Sequence, residues 1–409
     1  MTTVLLVSRF PPADDGIAVH ARDLRDALSG LVRVAVLTSA GRGASAPDVF
    51  GAISPSPLSL LRCLRVLRER RPEVVHVQLN LPSFGAAWAW VLAAGLVGRR
   101  RWGMGLVLTL HEVRRDLARL GAPGVLVYRM LGRSADALVV YTGEARDLLV
   151  RRCGIDPGKV HVTPHGCRAP LARPDRRQQE AVASRYGLGL DPVLFLGYLH
   201  PDKGVEHLIE AAGILRREDP SALGESKVVI AGRVRPRSGL LRHFERKDRA
   251  YASSLHRAVD REGLQDLVHF SGPIHEDDLA AALSLARLAV LPYNDVTQSG
   301  VLNLLLSSGT PVVASRLPGL VETLGDAGRY FEPGDARGLA RELRRVLYDD
   351  DLRRALAERM AAVGAQVSYA VVAARLREIY ADLARGDRAR SRPPFRKGGA
   401  AKGRGAASR

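Results

Sequence analysis

The sequence predicts an α/β chain built of two doubly wound, Rossmann-like parallel sheets. Three observations carry that prediction. Runs such as VLLV (4–7), VVHV (74–77) and LVLTL (106–110) are continuously apolar, as strands buried on both faces are. They alternate with amphipathic helical stretches, the signature of a parallel sheet covered on both sides. The alternation breaks once, at 168–192, and then restarts. With 409 residues and a hydrophobic fraction of 46%, the chain can fill two cores.

In the first half, MTTVLLVSRF reads as a strand ending at a turn with Pro11 and Pro12. GIAVHARDLRDALSG follows as a helix with Ile17, Leu24 and Leu28 on its apolar side. Then come strand VRVAVLTS, helix 57–69, strand 73–78, helix 84–97, strands 106–112 and 137–142, and a last strand at 160–167. The run FGAAWAWVLAAGLVG (84–98) is shorter than the about 20 residues a bilayer span needs, and reads as a core helix. Segment 169–192, rich in charge and proline, is expected to be the linker after a first domain of 1–168. Strands at 193–199, 227–233, 268–272, 288–293 and 311–315 build the second domain, 193–365. Their helices are expected at 204–217, 249–261, 276–286, 300–308, 336–348 and 351–363. A further amphipathic helix is predicted within 366–384.

Net charge is +18, unevenly placed. The stretch 385–409 holds nine Arg or Lys against Asp387 alone, in a Gly/Pro/Ala context that cannot bury a core, and is expected to be a disordered basic tail. That tail and Arg99, Arg100, Arg101 and Trp102 suggest contact with an anionic membrane surface; a solvated helix end is the alternative for 99–102. No specific nucleic-acid motif accompanies the charge. The three cysteines, Cys63, Cys153 and Cys167, have neither disulfide nor metal-ligand spacing. With no evident secretory leader, the expected location is cytoplasmic, with possible attachment taken to be peripheral at the inner membrane face.

An ordered set of phrases identifies the family resemblance. It comprises SRFPPADDGIAVHARDL, EVVHVQ, LTLHE, ALVVYTGEARDLLV, KVHVTPHG, VLFLGYLHPDKGVEHLIEA, VVIAGR and PGLVETLGDAGRYFEPGD. Together they resemble the family 4 (group 1) retaining glycosyltransferases, of GT-B architecture with two Rossmann-like domains facing across a cleft. The resemblance runs to about residue 384. It implies a nucleoside-diphosphate sugar, of UDP or GDP type, held by the C-terminal domain. It implies a glycan or lipid-linked acceptor on the N-terminal domain, a final helix crossing back to that domain, no metal and no other cofactor.

Candidate residues follow phrase by phrase. Lys203 in PDKG is placed to offset diphosphate charge, and Gly204 lets the turn tighten beneath it. The family's usual Gly-Arg before this lysine is Gly-Tyr here, so Tyr198 replaces one cation; Arg233 is the nearest compensating one. Gly16 opens a helix N-terminus toward donor phosphate, although Asp15 stands where a second glycine is usual. His111 ends a strand on the cleft side, with Glu112 beside it, and His165 with Gly166 closes the first domain as either a cleft-lining or a structural pair. Glu322 either borders the donor pocket or caps a helix.

The stretch TQSGVLNLLLSSGTPVVAS (297–315) departs most. The family's two glutamates fall on Val296 and Leu304, which cannot ionise; Asp295 is the nearest carboxylate. In their place stand Gln298, Ser299 and Gly300, with Ser299 as helix N-cap and free amides for a diphosphate. Two classes of function remain: a retaining glycosyltransferase with a differently built donor site, or a non-catalytic glycan- or nucleotide-binding member of a biosynthetic complex.

Overall fold

A computed structural model describes residues 1–13, 15–40, 47–80, 87–189, 191–224, 226–235, 242–296 and 298–390. The N-terminal sheet holds seven parallel strands: β1 (Thr3–Val7), β2 (Arg33–Ser39), β3 (Val49–Ile53), β4 (Val74–Leu79), β5 (Gly105–Leu110), β6 (Ala137–Val140) and β7 (Val160–Val162). Their order is β3-β2-β1-β4-β5-β6-β7. The second sheet holds six: β8 (Val193–Tyr198), β9 (Val228–Arg233), β10 (Val268–Phe270), β11 (Leu288–Leu291), β12 (Val312–Ser315) and β13 (Gly328–Phe331). Its order is β10-β9-β8-β11-β12-β13, again parallel throughout. Strand order reverses between β1 and β4 and between β8 and β11, and such switch points open ligand crevices at the carboxyl ends of the strands.

The central strands are the ones the apolar runs mark, because both faces are buried: β4 and β5 have no exposed residue. The strands that the sequence does not mark, β3 and β13, lie at sheet edges and carry Gly51 or partly exposed Arg329 and Tyr330.

Helices Leu58–Arg70, Trp88–Trp102, Val113–Leu120 and Ala122–Ser134 cover one face of the N-terminal sheet, through Cys63, Leu67, Val91, Leu117 and Leu131. The other face is covered by helix Gly16–Leu28 and by the last helix, Tyr369–Arg390, which buries Val372, Leu376 and Tyr380 against Val74, Val107 and Val139. The chain therefore crosses between the domains twice. The crossings are hydrogen-bonded to each other: Cys167 N donates to Val367 O (3.0 Å) and Tyr369 N to Cys167 O (2.9 Å).

Two expectations need correction. Segment 169–192 is not only a linker: residues Arg176–Tyr186 form a helix with an Asp175–Gln178 capping box, and its Val182 is buried in the C-terminal core. Its polar composition hid it, because one buried residue suffices to dock an otherwise solvated helix. The last helix begins at Tyr369 and runs to Arg390, six residues into the stretch expected to be disordered; the rest of that tail, 391–409, lies outside the described residues. Within the basic cluster, Arg99 is tied down, donating to both carboxylate oxygens of Asp136 at 2.6–2.9 Å. None of the described helices is long and apolar enough to cross a membrane. All three cysteines are buried and free.

Tyr380 anchors the returning helix. Its hydroxyl bonds His76 Nδ1 at 2.6 Å, and His76 Nε2 bonds Thr109 Oγ1 at 2.7 Å, all fully buried. Tyr380→Phe leaves an imidazole nitrogen unpartnered in the core, which costs about 1–3 kcal/mol. A lower Tm in thermal unfolding is the expected result, and an unchanged Tm would show that the contact carries no stability.

Candidate active site

The C-terminal switch point assembles a cationic seat. From β8 the chain turns through Pro201–Lys203 into helix Val205–Glu218. Gly204 has φ +55°, and a Cβ there would lie 2.0 Å from Pro292 O, so only glycine lets the turn pack on the end of β11. Lys203 Nζ sits 3.6 Å from the centroid of the Tyr293 ring, a cation–π contact, with no carboxylate paired to it among the described residues. Tyr293 OH lies 3.2 Å from Ser299 Oγ, which also accepts from Leu302 N at 3.2 Å and caps helix Gly300–Ser308. Tyr293 thus ties the lysine to that helix N-terminus. The Gly300 and Val301 amides meet no acceptor among the described residues, and Gln298 is half-buried beside them without a hydrogen bond there. Cation, free amides and helix dipole all favour an anion at this point.

Tyr198 lies at the carboxyl end of β8, in register with Arg233 on β9, and the Arg235 guanidinium is 5.4 Å from its ring. Arginines therefore do border the position where Tyr198 replaces one. Val296 is buried and Leu304 packs on the same C-terminal core, so the two glutamate positions are apolar in structure as well as in sequence.

On the N-terminal side, His111 joins a buried polar cluster that the sequence does not announce. His111 Nε2 lies 2.8 Å from Gln78 Oε1 and 3.5 Å from Tyr141 OH. Tyr141 OH is 3.1 Å from His20 Nε2, and His20 Nδ1 is 3.0 Å from Tyr369 OH. The His165 ring lies 4.4 Å from His20 and 4.8 Å from Tyr141, centroid to centroid. Gly166, φ +94°, leaves room for Tyr369, whose ring would stand 2.6 Å from an added Cβ. Burial, with smaller contributions from neighbouring imidazoles, lowers His111 to about 3; burial lowers His165 to about 4 and holds His20 well below its ordinary value. The cluster is neutral at pH 7 and offers hydrogen bonds rather than charge.

Several contacts join the domains, among them an Arg22–Glu276 pair at 3.5 Å. Asp295 pairs with Arg114 and, at 3.2 Å, with Arg115, which also reaches Asp202 at 3.2 Å. Burial raises the Asp295 carboxyl, but the two guanidiniums outweigh it and hold it below the usual range. Glu322 Oε1 accepts from Gly143 N at 2.6 Å. Asn303 Nδ2 lies 2.7 Å from His165 Nδ1. Because Arg114 and Arg115 follow His111 by three and four positions, the end of β5 and the Lys203 turn border the same cleft.

Several expected roles change accordingly. Asp295, the nearest carboxylate to the two glutamate positions, is paired with Arg114 and Arg115. Glu322 spans the cleft to the Gly143 amide. The Ser299 hydroxyl is committed to its cap and to Tyr293, leaving the loop amides as the open donors. Asp15 accepts from Ile17 N and Ala18 N, both at 3.1 Å, and pairs with Arg9 at 2.7 Å. Its carboxylate occupies the helix end where Gly16 was expected to receive a phosphate. Sequence reasoning missed Tyr293, Asn303, Arg114, Arg115, His20, Tyr141 and Tyr369. Only the HEVRR phrase carried a local signal, two cations immediately after the strand-end histidine. Among the described residues no group of three or more His, Cys, Asp or Glu side chains could hold a metal ion.

Residues 15–168 match Glycosyltransferase Family 4, and residues 191–349 match Glycosyl transferases group 1. D-inositol 3-phosphate glycosyltransferase 2 of Catenulispora acidiphila is 30% identical over 259 residues, 59% of this chain and 57% of that protein. D-inositol 3-phosphate glycosyltransferase of Streptosporangium roseum is 30% identical over 347 residues, 82% of this chain and 75% of that protein. With relatives from Catenulispora acidiphila, Salinispora arenicola and Streptomyces bingchenggensis, the match spans only 57–66% of their length. Among solved structures, HepE of Anabaena in complex with UDP has a TM-score of 0.72 at 16% identity, covering 93% of this chain and 100% of that one. The same protein is known with UDP-glucose.

The buried imidazoles make stability pH-dependent. Unfolded, each takes up a proton near pH 6.5; folded, His165 does so only near 4 and His111 near 3. The unfolded state binds more protons in that window, so stability is full above about pH 6.5 and falls below it, by about 1.4 kcal/mol per imidazole per pH unit. Thermal unfolding at neutral and mildly acid pH should show the decline, and His165→Gln should flatten it. An equal slope in the variant would place the titration elsewhere.

Proposed function

The chain belongs to the family 4, group 1 glycosyltransferases and has their GT-B fold, and from that premise we propose that it moves a sugar from a nucleoside-diphosphate sugar to an acceptor hydroxyl with retention of configuration. One observation carries the reading: an unpaired lysine, Lys203, is stacked on Tyr293, and through Tyr293 and Ser299 it is tied to a helix end with two open amides. This is the chemistry a diphosphate leaving group needs, and it needs no metal. The UDP and UDP-glucose complexes of HepE support a uridine or similar nucleotide at this seat.

In the proposed reaction the diphosphate leaves toward Lys203 and the Gly300 and Val301 amides. The acceptor hydroxyl attacks from the same face, and the departing phosphate oxygen takes its proton. His111, neutral and held by Gln78, gives or accepts a hydrogen bond to a sugar hydroxyl and carries no charge. Catalysis then comes from positioning and anion stabilisation, which accounts for a site without the glutamate pair. Leu304 offers the ribose no acceptor, so Gln298 is the side chain nearest to that task. The proposed acceptor is a glycan or a lipid-linked sugar met at the cytoplasmic membrane face.

A second reading rests on Asp15. Its carboxylate caps the amides that would otherwise face phosphate, and it favours a nucleotide- or glycan-binding member without turnover. Calorimetry of UDP and GDP in EDTA, with wild type and Lys203→Ala, tests the donor seat. Losing a hydrogen-bonded cation should weaken binding by about 10–100-fold, or 1.5–3 kcal/mol. Binding of neither nucleotide by the wild type would end the transferase reading, and binding without release of sugar from any donor would favour the second one.

A further inference from the structure

Ten large apolar side chains are exposed among the described residues, and six of them belong to three helices on one face of the N-terminal sheet. Leu58 and Leu61 stand out from helix Leu58–Arg70, Val97 and Trp102 from helix Trp88–Trp102, and Leu126 and Met130 from helix Ala122–Ser134. Their exposures reach 64% for Leu61 and 58% for Met130. Single exposed apolar residues need no explanation, but a set on one layer marks an interaction surface.

Charge indicates the partner. Those three helices contain nine arginines and one acidic residue, Glu69, which is bonded to Arg65; two of the other arginines have partners outside the helices, Arg99 on Asp136 and Arg129 on Cys153 O. Arginine and apolar residues share the same stripes. Leu58, Leu61, Arg62 and Arg65 follow helical spacing, as do Leu126, Arg129, Met130 and Arg133. A cavity of about 330 Å³ opens beside the second stripe, lined by Arg129, Arg133 and Lys159 against the single carboxylate of Asp156. A second copy of the chain is a poor occupant, because a two-fold contact would set arginine against arginine.

We propose that this helix layer is a docking surface for an anionic lipid bilayer: its leucines and methionine enter the headgroup boundary, its arginines pair with phosphates, and the cavity seats a headgroup. Apolar insertion and anionic attraction add in such binding. This surface is separate from the Lys203 seat, and its failure would leave nucleotide binding untouched.

The test uses the full chain and vesicles of phosphatidylcholine, alone or with an equal part of phosphatidylglycerol, at about 0.1 M salt, where steering by distant charges is screened. A variant with Leu58→Ser, Leu61→Ser, Leu126→Ser and Met130→Ser keeps every charge, including the basic C-terminal tail. The wild type is expected to co-sediment with the anionic vesicles and not the neutral ones, with a blue shift in tryptophan emission. The variant, shown folded by an unchanged Tm and nucleotide affinity, is expected to bind at least about tenfold more weakly. Equal binding by both proteins would assign attachment to charge or the tail alone and overturn the proposal. So would no binding by the wild type, or a wild-type dimer in light scattering that the variant abolishes.

Discussion

A parallel sheet has to be covered on both faces, and the N-terminal half cannot do this with its own helices. Most of them go to one face. The other receives Gly16–Leu28 alone, leaving Val107 and Val139 for Val372, Leu376 and Tyr380 of the returning helix to cover. Each such apolar side chain is worth about 1.5–3 kcal/mol when fully buried. The return therefore fixes the double crossing at Cys167 and Ser368. It also places Tyr369 against Gly166 and His20, so the hinge and the buried histidine cluster are consequences of one covering requirement.

The two sides of the cleft differ in kind. The C-terminal side holds an unpaired cation and open amides; the N-terminal side holds neutral imidazoles fixed by Gln78, Tyr141 and Tyr369. Contact between them rests on partly exposed ion pairs and single hydrogen bonds. Such pairs contribute about 0–1 kcal/mol each. Neither core depends on interactions this weak. Asp295 and Glu322 take part in these interdomain contacts.

Some of the site was legible in local phrases. PDKG gave the lysine and the glycine turn, because a strand, a tight turn and a helix start lie within a few residues. LTLHE gave His111, because a buried strand ends where the apolar run ends. The seat itself was not legible. Tyr293 links Lys203 to Ser299 from the end of another strand, and His20, Tyr141 and Tyr369 lie far apart along the chain. Asp15 is legible in the sequence only as the cleft-side residue that replaces a glycine beside Gly16, while its capping and its pair with Arg9 depend on backbone geometry.

The sequence by itself determined the fold class, the strand–helix alternation and its single interruption, since burial on both faces leaves a continuous apolar imprint. It also determined which cation and which glycine stand at the C-terminal switch point, and that the two glutamate positions carry no charge. Tertiary structure alone decided which polar groups are spent on joining the domains and which stay open to a ligand. A carboxylate has the same local neighbours whether it faces solvent, a sugar or two arginines 180 residues distant in the chain, so its role is set only once the two sheets face each other.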